Sequence, residues 1–315
     1  MDNNGQWMTS LPNELRNLPI INLAIPGSHD TMSYGIKSGA KPAPDAERST
    51  RCLNIFFPCC VRRWAKTQSS SIVEQLLLGV RYFDLRVCQK NDKFYFAHGL
   101  FAMEIFEPLE ELKHFLLSNK GEVCILDFQH FYDINISQHS QLQNLLLQLF
   151  DPLLYTRTDG AITDFTLNRC SALDKQIFLI YRRCPLPLPK EFWPSNAWPT
   201  PWPNVTSIKK LETYLQKSLQ SRKPSQGFVS QCVLTPSGKY ITLRFFSSLR
   251  KTAKKVNERL KPWIEEQTPG PFVDHEQPTT NVFITDFTSL DNGLFCKMVI
   301  GLNYKIENQS KIGDS

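Results

Sequence analysis

Short apolar runs alternate with amphipathic stretches along the chain. Seven runs have the length and β-former content of buried strands: 22–26 (NLAIP), 80–87 (VRYFDLRV), 93–97 (KFYFA), 122–128 (EVCILDF), 176–181 (QIFLIY), 227–233 (GFVSQCV) and 281–286 (NVFITD). Between them apolar residues recur at helical spacing. Ser70 to Leu78 carries Ile72, Val73, Leu76 and Leu77, with Gly79 as its stop. Pro108 to Leu117 opens on Pro with Glu nearby and continues with Leu112, Phe115 and Leu116. The same period runs through 137–150, 207–219 and 293–302, and a longer basic stretch, 243–264, is interrupted by Pro262. Strand–helix alternation of this kind predicts an α/β protein with a mostly parallel sheet. The length suits a (β/α)8 TIM barrel, typically ~250 residues, with a doubly wound open sheet as the alternative. No GxGxxG or GxxxxGKS follows the first strand, which counts against the nucleotide-binding version.

The pattern implies one domain over 6–305 with two inserts and a tail at 306–315. The insert at 37–66 is polar, then rich in Cys, Phe and Arg; the one at 184–205 holds seven Pro and three Trp. With 41% hydrophobic and 21% charged residues among 315, the chain can build a globular core without disulfides or structural metals. No apolar run approaches the ~18 residues of a membrane span, and the N-terminus lacks the layout of a secretory signal. Nine cysteines, an odd number without CxxC pairs, fit free thiols in a cytoplasmic protein. The glycosylation matches at Asn135, Asn204 and Asn308 are discounted on the same ground. A net charge of +6 favours an anionic membrane surface or a phosphorylated ligand, and no nucleic-acid motif is present.

Polar residues gather at the C-terminal ends of the expected strands: His29 and Asp30, Asp84 and Arg86, His98, Asp127 and Gln129, Arg182 and Arg183, Gln231, and Asp286. In a barrel these ends converge on one rim, where active sites are built. Alternation puts Asp84 and Arg86 on one side of their strand. Singly, each has a bland explanation as a loop histidine, a helix cap or a structural ion pair. Together, two His, several carboxylates and an Arg fit general acid–base chemistry on a phosphate-like centre.

IPGSHDTMSYG, GVRYFDLRV and FYFAHGLF resemble the X region of phosphatidylinositol-specific phospholipase C. With WMTSLP, EVCILDFQHF, PWPNVT, VLTP and ITDF…IGLNY, the similarity is closer still to the small X-domain-only proteins of animals, over about residues 6–305. The resemblance implies a distorted TIM barrel and cleavage of an inositol phospholipid to diacylglycerol and an inositol cyclic phosphate. By that analogy His29 is the general base and His98 the general acid. Asp286 orients His29, Asp30 supports His98, and Arg86, held by Asp84, offsets charge on the phosphate.

In calcium-dependent members the four strand-end positions are Asn, Glu, Asp and Glu; here Asp30, Asp84, Arg86 and Gln129 stand there. A guanidinium where the ion would sit implies metal-independent chemistry and no cofactor. Gln129, Arg182 and Gln231 are the expected substrate contacts. Gln129 replaces a sugar-contacting Lys, and Gln231 and Val233 replace an Asp and a Tyr. This leaves open an alternative, a catalytically silent inositol-phospholipid binder on the same fold. A third reading, a metal-dependent glycerophosphodiesterase, wants Glu ligands near the first strand, where only Asp30 stands.

A phosphoinositide substrate implies peripheral membrane contact. Ile55, Phe56, Phe57, Arg62, Arg63 and Trp64 mix apolar and basic character as interfacial segments do. Cys59 and Cys60 are acylation candidates. Trp193, Trp198 and Trp202 either reach lipid headgroups or pack a rim of the barrel. Lys251, Lys254 and Lys255 read as the solvated face of a helix.

Overall fold

The computed structural model describes residues 4–272, 275 and 278–306, so most of the expected tail, with Asn308, lies outside the described residues. Eight strands form one sheet: β1 (Ile25–Ser28), β2 (Tyr82–Lys90), β3 (Lys93–His98), β4 (Leu100–Glu104), β5 (Cys124–Tyr132), β6 (Ile177–Tyr181), β7 (Val229–Gln231) and β8 (Val282–Thr285). Six run parallel in the order β7–β8–β1–β2–β5–β6. β3 and β4 are an antiparallel hairpin on the far half of β2, with Val87 opposite Phe96 and Lys90 opposite Lys93. All seven sequence-derived strands are present. The eighth, β4, was not expected, because LFAME lacks β-branched residues and alternation.

The helices are α1 (Asn13–Arg16), α2 (Arg48–Phe56), α3 (Pro58–Ala65), α4 (Ile72–Leu77), α5 (Phe106–Ser118) and α6 (Ile136–Phe150). They continue with α7 (Leu167–Ala172), α8 (Ile208–Leu219), α9 (Gly238–Leu243), α10 (Leu249–Glu266) and α11 (Leu294–Leu302). Pro262 does not interrupt the basic helix: α10 runs through it to Glu266. Proline there removes one N–H and so costs stability, while Leu260, Trp263 and Ile264 are buried around it and hold the last turn. Gly79 ends the α4 region at φ +103°, a conformation that favours glycine.

Alternation along each strand sorts side chains into two cores. Ile25, Tyr82, Ile125, Phe178, Ile180, Val229, Val282 and Ile284 pack together inside the curled sheet. Phe83, Leu126, Leu179 and Phe283 face outward onto apolar residues of α4, α5, α6, α8, α10 and α11. This is a barrel with helices around it. Gly27 lets β1 approach its neighbours closely: a Cβ there would lie 2.8 Å from Ile284 and 2.9 Å from Tyr82. The end opposite the chemistry is tied by the buried pair Arg81–Glu122 at 2.6 Å.

No hydrogen-bonded ladder joins β6 to β7 among the described residues. The second insert runs along this seam instead. Trp193 N–H donates to Leu179 O (2.8 Å), Tyr181 N–H to Trp193 O (3.0 Å), Gly227 N–H to Ala197 O (2.9 Å) and Val229 N–H to Pro199 O (2.9 Å). Trp193 and Trp198 are buried, donating to Tyr155 O and Asn281 Oδ1. They pack the rim of the barrel and do not reach a membrane; only Trp202 of the three is exposed. The first insert is also ordered, as α2 and α3. Cys60 is buried there and Cys59 exposed, which removes Cys60 as an acylation candidate. No helix among the described residues is long and apolar enough to cross a membrane.

Candidate active site

The ends of β1, β3 and β8 and the middle of β2 bring His29, Asp30, Asp84, Arg86, His98 and Asp286 into one cluster; Asp84 and Arg86 lie inside β2, not at its C-terminal end, because the strand runs on to pair with β3. His29 follows β1 and its N–H donates to Thr285 O (3.1 Å), which locks it beside the end of β8. Its carbonyl accepts from Gln68 Nε2 (3.0 Å) and Thr67 Oγ1 (3.1 Å). Gln68 also donates to Thr285 O (2.9 Å) and accepts from Thr288 N–H (3.1 Å), so one buried amide ties β1 to β8. Neither Thr67 nor Gln68 carried a signal in the sequence, since both act through backbone atoms. Asp30 sits in the left-handed region at φ +41°, which Asp tolerates better than most residues, and its N–H donates to Asp84 Oδ2 (3.1 Å).

His29 Nδ1 meets Asp286 Oδ1 at 2.7 Å. That contact fixes the ring and leaves Nε2 toward the cluster. Nε2 lies 3.1 Å from an Arg86 guanidinium nitrogen, 3.3 Å from Asp30 Oδ2 and 3.9 Å from Asp84 Oδ2. A neutral ring can accept from Arg86; a protonated ring can donate to Asp30. Burial favours the neutral form and the Arg86 charge does so too, but Asp30 and Asp286 outweigh both and raise the pKa from 6.5 to about 9. Because the folded value is raised, this group stabilises the fold fully below pH 6.5, and the contribution is lost as pH rises through about 9. Asp286→Asn is expected to bring the His29 titration, followed by side-chain NMR, down toward 6.5; an unmoved midpoint would show that Asp286 is not among its causes.

His98 ends β3 and faces the same carboxylate. Its Nε2 is 3.1 Å from Asp30 Oδ2, and its Nδ1 is 2.7 Å from Ala65 O. Both ring nitrogens thus meet acceptors. The two imidazole centroids are 6.2 Å apart, at 74°. Arg86 bridges the carboxylates, with Nε 2.6 Å from Asp30 Oδ1 and a terminal nitrogen 3.2 Å from Asp84 Oδ2. Burial pushes Asp84 up, and Arg86 and His29 more than offset it, so its carboxyl is held below the usual range.

The expected substrate contacts lie deeper and are engaged by the protein. Arg182 grips Asp127 through two bonds, Nε to Oδ1 (2.7 Å) and a terminal nitrogen to Oδ2 (2.6 Å), and also donates to Ser195 O (3.2 Å) and Trp198 O (2.5 Å). The Tyr82 hydroxyl donates to Asp127 and accepts from Gln129 Nε2 (3.3 Å). Gln231 donates to Thr200 Oγ1 (3.0 Å) and Thr200 O (3.2 Å). Asp127 is therefore the centre of a buried network that joins Tyr82, Gln129 and Arg182.

His130 was passed over. A register shift inserts Gln129 into β5, so that Arg86 pairs with His130 after Leu85 pairs with Phe128. A bulge of this kind changes which residues stand beside a partner and is invisible to strict alternation. Burial lowers the His130 pKa, and Arg86 lowers it further. A small cavity beside the cluster is lined by Asp30, Asp84, Arg86, Phe96 and His98. The wider groove on the outside of the barrel, between α8 and α10, touches none of these residues.

No family model matches the chain. Full-length relatives do. PI-PLC X domain-containing protein 3 of Danio rerio is 34% identical over 98% of this chain and 95% of its own. Its Homo sapiens counterpart is 34% identical over 95% and 94%. PI-PLC X domain-containing protein 1 of Danio rerio is 30% identical over 94% and 96%. Among solved structures, phosphatidylinositol-specific phospholipase C from Listeria monocytogenes superposes with a TM-score of 0.64 at 20% identity, over 95% of this chain and 98% of that one. The enzyme from Staphylococcus aureus gives 0.66 at 17%, over 95% and 97%. These structures share the fold, a TIM barrel whose ring of strands is incomplete in hydrogen bonds here. At this identity and coverage the conclusion is plain: the chain belongs to the family of PI-PLC X domain-containing proteins.

Proposed function

We propose that the chain is a metal-independent phosphodiesterase of the phospholipase C type, acting on phosphatidylinositol-like lipids. The observation that carries this is the sharing of one carboxylate, Asp30, by the Nε2 atoms of two histidines, at 3.3 Å and 3.1 Å, with Arg86 in the same cluster. In its neutral form, which becomes the major one only as pH rises through about 9, His29 Nε2 takes the proton from the inositol 2-hydroxyl, whose oxygen attacks phosphorus. His98 Nε2 gives its proton to the departing diacylglycerol oxygen, and an inositol 1,2-cyclic phosphate remains. Arg86 offsets the charge that grows on the nonbridging oxygens.

Calcium does not fit this donor set. His29, Asp30 and Asp84 have ligand atoms within 4.8 Å of one another, close enough to share an ion. Calcium takes about six to eight oxygen ligands, however, and the guanidinium of Arg86 lies 2.6 Å from one of the two carboxylates and 3.2 Å from the other.

Membrane contact is part of the reading. Ile55 (75% exposed), Phe56 (74%) and Phe57 at the α2–α3 junction form an apolar ridge with Leu243 (72%) and Phe246 (88%) from the segment after β7. Phe57 and Phe245 touch edge to face at 5.2 Å, which makes the two parts continuous. A contiguous exposed ridge of this kind is what an interfacial contact uses. The silent-binder reading is favoured by the donors of Gln129, Arg182 and Gln231, which already bond protein atoms.

Phosphatidylinositol vesicles in excess EGTA separate these readings. Cyclic inositol phosphate by phosphorus NMR is the expected product. Cleavage only after calcium addition would overturn the metal-independent reading. Vesicle binding without product in either condition would leave the silent binder.

A further inference from the structure

The first insert wraps the turn that carries His98. Asp45 Oδ2 accepts from Gly99 N–H at 2.6 Å. Ala43 N–H donates to Gly99 O (3.1 Å), Phe101 N–H donates to Lys41 O (3.0 Å), and Pro42 pairs with Leu100 in an isolated bridge. From the other side Ala65 O, at the end of α3, accepts from His98 Nδ1. One stretch of chain, 41–65, therefore grips residues 98–101 from both ends. Gly99 is at φ +65°, so the turn has a fixed hand, and a short bond from an amide to a carboxylate is of the stronger, charge-assisted kind.

The loop presenting Asp45 is itself tied down. Arg51 of α2 donates to Ala43 O (2.8 Å), Ala46 O (3.1 Å) and Pro44 O (3.2 Å). Arg62 of α3 donates to Ile36 O (2.9 Å). The outer side of α3 is held by Cys60 Sγ–H donating to Phe245 O and by Trp64 against Tyr240. The second oxygen of Asp45, Oδ1, is buried without a hydrogen-bond partner. A surface loop has no need to bury a half-used carboxylate, since each unmet acceptor costs free energy.

We propose that Asp45 is a positioning residue for the general acid. It holds the Gly99 turn in the one arrangement that lets His98 Nδ1 reach Ala65 while Nε2 faces Asp30. The role rests on the phosphodiesterase reading for its catalytic meaning. The geometric part is independent of turnover. Displacing a reacting group by about 1 Å costs on the order of 100-fold in rate, so the carboxylate bond that Asp45 adds to the backbone bonds of this turn is a sensitive point.

The test uses the full chain labelled with 15N-histidine, with the His98 ring signals assigned by His98→Gln. Asp45→Ala is expected to move the His98 Nδ1 signal away from a hydrogen-bonded donor and to leave the His29 signals in place. On phosphatidylinositol vesicles the same variant is expected to lose tenfold or more in kcat, with KM within twofold. Asp45→Asn keeps an oxygen for Gly99 N–H and should retain both. Unmoved His98 signals in a folded Asp45→Ala chain would overturn the proposal. Equal losses in Asp45→Ala and Asp45→Asn would overturn it too, because charge rather than positioning would then be at work. If Asp45→Ala does not fold, Arg51→Leu frees the same loop and should give the same shift at smaller amplitude; an unmoved His98 signal there would also overturn the proposal. A wild-type chain that cleaves no phosphodiester would sink the acid role, while the ring signals still decide whether Asp45 holds His98.

Discussion

Alanine at His98 is expected to lower kcat on phosphatidylinositol by about 100-fold to 10,000-fold, the usual worth of a general acid or base. The geometry explains why no neighbour substitutes. Asp30 is the group nearest Nε2, and it is also ion-paired to Arg86 at 2.6 Å. Its two oxygens are already engaged by the histidines and Arg86, so it is not placed to replace the ring. His29→Ala should fall by a similar factor, because Asp286 and Arg86 would then frame an empty position. The double variant should be little worse than either single one, as expected for groups acting as a unit. Lipid binding measured by vesicle sedimentation should persist in both, since neither ring belongs to the exposed ridge. An active His98→Ala chain would remove the acid assignment.

Arg86→Leu carries the second large effect, and it should act on both rate and stability. Loss of a preorganised charge donor costs about 100-fold to 1,000-fold in rate. Asp30 and Asp84 are each only a few percent exposed, and both would lose the guanidinium, leaving histidine beside them. Breaking a buried ion pair from one side costs on the order of 3–5 kcal/mol, because the remaining charge stays uncompensated. Denaturant unfolding should show most of that loss at pH 7 and less of it under acid, where the carboxylates can take up protons. Arg86→Lys keeps the charge but loses the fork, and should recover stability better than rate. Wild-type stability in Arg86→Leu would mean that the pair is not what holds the two carboxylates together.

The parts of this molecule legible in its sequence are those that repeat or that end an element. Strands such as ILDF and FLIY announce themselves by composition, and the polar residue after each one marks the rim. Six residues that the structure gathers into one cluster carry that polar signal, at or just past the ends of β1, β3 and β8 and within β2. Three kinds of feature were not legible. The antiparallel placement of β3 depends on pairing with the far half of β2, a long-range choice that no local pattern records. The bulge at Gln129 depends on two strands being out of step, and it moves His130 beside Arg86. The work of Gln68 and Asp45 is done on the backbone of other segments, so their side-chain chemistry gives no hint of where they reach. Trp193 and Trp198 show the converse: a residue type suited to a lipid interface is equally suited to a core, and the contact with Tyr155 O and Asn281 Oδ1 decides between them.

A ring of strands closed by hydrogen bonds has its girth set by strand number and stagger. The ring in this chain is laced rather than welded at one place, between β6 and β7, by a segment whose prolines cannot supply the amides of a regular ladder. Arg182 on one lip of that gap reaches Ser195 O and Trp198 O, and Gln231 on the other lip reaches Thr200. The lacing thread is thus fastened to both lips of the gap, through Arg182 on one side and Gln231 on the other. The circumference of the mouth can change there with the smallest loss of ordered bonding, and any such change moves Arg182 and Gln231 together.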